Sequence, residues 1–131
     1  MDCDTMLAVA TLWQEARGVA DDNAVLGVCH VIRNRMAKRY SSDGTVPGTV
    51  LAPYQFSGWN PGSLVAAESL RAVPDAARLL SLWVRSGARP DNTGGAVLYY
   101  SPDAMGDRSP PTWANESRFT ITIGPFDFYR A

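Results

Sequence analysis

The chain has 131 residues, 46% of them hydrophobic and 10% aromatic, which supports the core of one domain and leaves no length for a second. Its 12 basic and 13 acidic residues leave a formal net charge of −1, so there is no global positive field to hold nucleic acid or an anionic membrane. No run approaches the ~20 apolar residues of a membrane-spanning helix, and the first ten residues carry Asp2 and Asp4 but no Lys or Arg, the wrong polarity for a secretory leader.

Residues 5–17 carry helical spacing, with Asp4 expected as N-cap and Gly18 where a left-handed residue commonly ends a helix. Ala8, Thr11, Leu12 and Glu15 share one face, because side chains three and four apart stack along a helix. Glu15 thus extends the stripe that carries Leu12 inward. Desolvation and the negative end of the helix dipole would raise its pKa, while an approach by Arg17 would lower it. A second helix is predicted over Asp22–Lys38, where Val25, Val28, Cys29, Ile32 and Met36 form the buried stripe and Asp21 and Asp22 supply caps. His30, Arg33 and Arg35 fall off that stripe, and His30 is expected on the solvated side. Residues 41–53 read as a Gly- and Pro-bearing connection. They lead into a loop, 54–61, that combines Gln55, Ser57, Trp59 and Asn60 with Phe56, the last expected as a core anchor.

Further helices are predicted over Leu64–Arg71 and Pro74–Ser86, the second with Ala77, Leu80 and Val84 along one side and Gly87 after its end. From Gly94 the pattern turns to strand. Ala96–Tyr100 and Phe119–Ile123 are β-rich and are expected to pair with each other. The proline-rich connection between them carries Trp113 and reads as a functional loop. The fold class is α+β, mainly helical, as one domain over residues 1–131 with a small antiparallel β element near the C-terminus. Cys3 and Cys29 are expected as reduced thiols packed like small hydrophobes.

Glycoside cleavage needs a carboxylic acid that keeps its proton near neutral pH, and burial can raise a glutamate to about 6 for that purpose. Only Glu15, Glu68 and Glu116 are available as glutamates. The residue pattern leaves two roles open for Glu15: proton donor, or a structural carboxylate paired with Arg17, Arg33 or Arg35. Rings with neighbouring amides suit a saccharide groove, because sugar C–H faces pack on aromatic faces while hydroxyl and acetamido groups take hydrogen bonds. With one His and two separated Cys, no metal site is expected. Nor does the chain carry a nucleophile elbow or a Gly-rich phosphate loop.

The tetrapeptide Glu15-Ala16-Arg17-Gly18 resembles the signature of the SleB-type cell wall hydrolases. Further landmarks follow in order: Val31-Ile32-Arg33-Asn34-Arg35-Met36 on the next helix, Gln55-Phe56-Ser57-Gly58-Trp59 in the loop, then Trp113-Ala114, Ile123-Gly124 and Phe128-Tyr129. The chain departs from the family pattern at Gly58, where Cys is usual, and at Pro125-Phe126, where a polar pair with a histidine often stands. The resemblance implies a lysozyme-like domain that cuts peptidoglycan between N-acetylmuramic acid and N-acetylglucosamine, as a lytic transglycosylase that needs no metal or cofactor. It makes Glu15 the catalytic acid and base, and Gln55, Ser57, Trp59, Tyr100, Trp113 and Tyr129 the substrate-binding residues.

A hydrolase would need a second carboxylate at a defined separation, and the candidates Asp21, Asp22 and Asp43 read better as caps and turn residues. A hydrolytic muramidase on the same site and a non-catalytic glycan-binding module are the alternatives. With no leader expected, the chain resembles a phage endolysin, made in the host cytoplasm and acting on the wall after release; an exported bacterial enzyme with its leader removed would carry the same residues. One groove in a small near-neutral domain is most simply a monomer.

Overall fold

The computed structural model describes residues 1–131. Helix α1 spans Cys3–Ala16 and is capped by Asp2, whose carboxylate accepts the Thr5 N–H at 2.7 Å. Asp4 instead lies in the first turn. At the other end Gly18 does not turn left-handed. Arg17 closes the helix, donating to the carbonyls of Trp13 and Gln14 at 3.0 and 3.3 Å with its guanidinium 4.0 Å above the Trp13 ring. These bonds satisfy helix-end carbonyls that a glycine cap would otherwise serve.

Helix α2 covers Asp22–Lys38, with Asp21 as its cap. It packs against α1, α3 (Val46–Val50), α5 (Ala77–Ser86) and the sheet, so Ala24 through Ile32 are buried all round. His30 is among them at 5% exposure, contrary to the solvated position expected. Burial depresses its pKa, partly offset by Asp91. Cys29 is buried and its thiol is pushed up to about 12 by desolvation, whereas Cys3 is exposed and not packed as expected. Both are free thiols.

Helix α3 forms inside the stretch read as a plain connection. Thr45 caps it, its hydroxyl accepting the Gly48 N–H at 3.0 Å, with Pro47 in the first turn. After a 3₁₀ turn at Ser57–Trp59 come α4 (Val65–Ala72) and a second 3₁₀ turn at Val73–Asp75. Helix α5 buries Leu79, Leu82, Trp83 and Ser86, not the face of Ala77, Leu80 and Val84; Val84 is 61% exposed. Arg33 of α2 fastens that face. Its guanidinium lies 3.9 Å over the Trp83 ring and donates to the Trp83 carbonyl and the Ser86 hydroxyl at 2.7 and 2.8 Å.

The sheet has strands β1 (Leu98–Tyr100), β2 (Phe119–Ile123) and β3 (Phe126–Tyr129), all antiparallel, in the order β1-β3-β2. The two predicted strands therefore do not pair with each other. The third, unpredicted strand lies between them, reached from β2 through a tight turn at Gly124 (φ 56°). A short helix, α6 (Pro102–Met105), follows β1. The sheet packs on α2 where Gly27 meets Phe128: a β-carbon at Gly27 would lie 2.5 Å from Cζ of that ring. Phe56 is buried in the core as expected. No helix is long and apolar enough to cross a membrane.

Candidate active site

The last turn of α1, strand β1 and the loops after α2 and α3 enclose a cleft of about 540 Å³. Glu15 lies in it with Arg35, Gln55, Tyr99, Tyr100 and Trp113, and Tyr40, Tyr54 and Ser101 line its edges. Glu15 is its only carboxylate. A neighbouring depression of about 550 Å³, formed by Ser41, Pro47, Leu51, Pro53 and Gln55, holds no ionisable side chain.

Glu15 is half-buried. Desolvation raises its pKa, opposed by the Tyr99 hydrogen bond and by the nearby Arg35 charge. The Tyr99 hydroxyl donates to Glu15 Oε1, and its ring is wedged against Phe126 and Phe128 at centroid distances of 5.2 and 5.9 Å. Burial and the adjacent carboxylate hold the Tyr99 phenol well above its ordinary pKa, so it stays a donor. None of the three arginines considered as structural partners pairs with Glu15; the chain's one ion pair is Arg78–Asp22. Arg17 turns back onto α1, Arg33 serves α5, and Arg35 donates to the Val97 carbonyl at 2.7 Å and to Gln55 Oε1 at 3.3 Å. The result is a carboxyl group in a partly dry cleft, near a cation but not neutralised by it. Such a group can hold a proton and then tolerate losing it.

Of the expected binding residues, Gln55, Tyr100 and Trp113 share the cleft with Glu15. The other three do not line it. Ser57 is exposed at the start of the 3₁₀ turn. Trp59 lines a separate depression with Tyr54 and Asn60, and its indole N–H is spent on the buried Thr11 hydroxyl at 2.9 Å. Tyr129 is 6% exposed and lies behind the wall, stacked on Tyr100 at 6.0 Å and edge-on to Trp113 at 5.3 Å. Residue patterns missed Arg35, Tyr40 and Tyr54 as cleft residues. A cation on an otherwise buried helix was the available signal for Arg35. Tyr54 is 80% exposed with φ 61°, a left-handed conformation that costs an aromatic residue energy and tends to gather at functional sites.

A family model described as Cell Wall Hydrolase matches residues 20–129. The matched span begins after Glu15, so the role of that carboxylate rests on cleft geometry. No curated protein matches the chain. Two solved structures share its fold. The catalytic domain of the germination-specific lytic transglycosylase SleB from Bacillus anthracis superposes with a TM-score of 0.71 at 23% identity, over 97% of this chain and 93% of that one. The catalytic domain of the Bacillus cereus SleB protein gives 0.71 at 22% identity, over 98% and 91%.

Proposed function

The chain belongs to the cell wall hydrolase family, and from that premise we propose that it cuts the glycan strand of peptidoglycan between N-acetylmuramic acid and N-acetylglucosamine as a lytic transglycosylase. One observation carries this reading: the cleft holds a single carboxylate, Glu15, with its pKa raised by burial. Hydrolysis with inversion or retention ordinarily uses two carboxyl groups. An intramolecular transfer needs one. The name of the Bacillus anthracis structure, a lytic transglycosylase, agrees with this.

In the proposed reaction, the protonated carboxyl of Glu15 gives its proton to the glycosidic oxygen as the bond from that oxygen to the muramyl C1 breaks. The resulting carboxylate is stabilised by the Tyr99 hydrogen bond and the Arg35 field. It then takes the proton of the muramyl C6 hydroxyl, whose oxygen bonds to C1 and closes a 1,6-anhydro ring. Tyr100 and Trp113 offer ring faces and edges along one side of the cleft for packing against sugar.

The test is digestion of purified sacculi by wild type and Glu15→Gln, with mass analysis of the soluble fragments. Anhydro-muramyl ends from the wild type, absent with the variant, are expected. Reducing muramyl ends would assign a hydrolase, and equal release by the variant would remove Glu15 from the chemistry.

A further inference from the structure

We infer that Gln55 reads the acetamido carbonyl oxygen on the bound glycan through its NH2 group, and that Arg35 is the positioning residue that orients the amide for this. The inference rests on the peptidoglycan reading above and adds a basis for discriminating between acetylated and de-N-acetylated strands.

Arg35 is 4% exposed. Its Nε donates to the Val97 carbonyl at 2.7 Å, and its guanidinium stands 4.9 Å from the centre of the Phe56 ring. The group is therefore fixed from two sides. Its Nη1 donates to Gln55 Oε1 at 3.3 Å. A guanidinium has five N–H donors and no acceptor, so the only end of the Gln55 amide that can face it is the carbonyl oxygen. The amide cannot flip without pointing N–H groups at a buried cation. The NH2 end is left over. Its sole protein contact is the Pro53 carbonyl at 3.5 Å, at the outer limit of a hydrogen bond. Gln55 lines the cleft beside Glu15, so a bound glycan meets a neutral NH2 donor whose carbonyl oxygen is turned toward the Arg35 cation.

An NH2 group turned toward the cleft selects an acceptor on the glycan. Sugar hydroxyls do both and are served equally well by Tyr40, Ser41 or Ser101 at the cleft edge. The acetamido carbonyl has no proton to give and is the natural complement. Removal of the acetyl group replaces it with an ammonium, which presents donors to a donor. In the state competent for proton transfer Glu15 is neutral, and Arg35 is then the only charged side chain of the cleft. The ammonium therefore also meets a like charge, the repulsive element by which a site rejects a near-isostere.

The experiment compares sacculi that are fully N-acetylated, chemically N-deacetylated, and N-deacetylated then re-acetylated with acetic anhydride. For each the initial rate of fragment release is measured with wild type, Gln55→Glu, Gln55→Leu and Arg35→Lys. Wild type is expected to prefer acetylated strands by about tenfold or more, mostly through KM, and re-acetylation is expected to restore the rate. Gln55→Glu and Gln55→Leu should reduce that preference toward unity. Arg35→Lys cannot hold both Val97 and Gln55 in a planar fork, and it should lower the preference too. A purely structural role for Arg35 would slow both substrates by the same factor and overturns its positioning role. Equal cutting of acetylated and deacetylated sacculi by the wild type overturns the inference alone. Failure of the wild type to cut fully acetylated sacculi overturns both the inference and the reading beneath it.

Discussion

Tyr99 donates its phenolic hydrogen to Glu15 Oε1 across 84 residues of sequence, joining strand β1 to the last turn of α1. The bond favours the charged form of the carboxylate and works against the burial that raises its pKa. It also occupies one carboxylate oxygen, so in the proposed reaction the proton passes to substrate from Oε2.

Tyr99→Phe keeps the ring contacts with Phe126 and Phe128 and removes the hydroxyl alone. With that stabilisation gone the Glu15 pKa rises further. Activity needs the protonated acid, so the alkaline limb of the pH–rate profile moves to higher pH. The maximal rate falls by about tenfold or more, because the carboxyl loses its orienting partner. A pH–rate profile of both proteins measures this. An unshifted alkaline limb would show that Tyr99 does not tune the acid.

The same raised pKa has a consequence for stability. Folded protein binds the Glu15 proton more tightly than unfolded protein, so this group's stabilising contribution is complete below the unfolded-state pKa of ~4.3 and is lost as pH rises through the folded-state value. At neutral pH the half-buried carboxylate is a cost to stability, one that the proposed reaction would explain. Glu15→Gln removes it and is expected to be more stable than wild type at pH 7 by on the order of 1 kcal/mol. The difference should shrink as pH falls toward 4. Denaturant titrations at several pH values decide the point, and a variant less stable at every pH would contradict it.

Much of the fold was legible because helix periodicity is local. Helix α2 has the predicted bounds, and Glu15 extends an inward stripe because the i, i+3, i+4 rule needs no tertiary information. The failures occur where a distant residue decides. Both faces of α5 carry helical spacing, and only its packing on α1 and α2, with the Arg33 bonds to Trp83 and Ser86, shows that Leu79, Leu82 and Trp83 turn inward; likewise β3 enters between two strands that alone would pair. At the cleft, Gln55, Tyr100 and Trp113 were within reach of residue chemistry. Trp59 was not, since nothing local shows that its N–H is committed to Thr11. Tyr129 and Tyr100 carry the same phenol, and only the pairing of β1 with β3 decides which of them faces the cleft.

Gly27 stands where α2 meets the sheet. A methyl group there would press on the Phe128 ring at 2.5 Å, and that ring is fully buried between Tyr99 and Phe126. Alanine's helix propensity returns up to about 1 kcal/mol, but forced overpacking costs about 1–3 kcal/mol. Gly27→Ala is therefore expected to lower stability by about 1–2 kcal/mol and Tm by roughly 5 °C, as read by thermal melting. An unchanged or higher Tm would mean that the sheet shifts freely on α2.

Trp59→Phe separates a structural from a binding role for the residue. Its indole N–H satisfies the hydroxyl of Thr11, which is fully buried and itself donates to the Leu7 carbonyl at 2.7 Å. Losing that bond leaves Thr11 short of a donor and should cost about 1–2 kcal/mol of stability. KM for sacculi should change less than twofold, because the ring lies outside the Glu15 cleft. A large rise in KM with stability unchanged would restore Trp59 as a glycan contact.

Trp113 offers the opposite contrast. It stands edge-on to Tyr100 at 5.9 Å and to Tyr129 at 5.3 Å, on a loop with little regular structure, and it is half-exposed toward the cleft. Truncation removes one ring from the aromatic wall without opening the main core, since Trp113 packs against Tyr100 and the small cluster of Val97, Leu98 and Tyr129. Trp113→Ala is therefore expected to weaken glycan binding about tenfold, by loss of an aromatic platform worth about 1–2 kcal/mol, with a small change in kcat. Trp113→Phe should recover part of the loss. Calorimetric titration of soluble glycan fragments into the Glu15→Gln protein, with and without Trp113→Ala, measures binding with turnover disabled. If affinity is unchanged while Tm falls, the ring serves to hold the loop down, and the saccharide must pack on Tyr54 and Tyr100 instead.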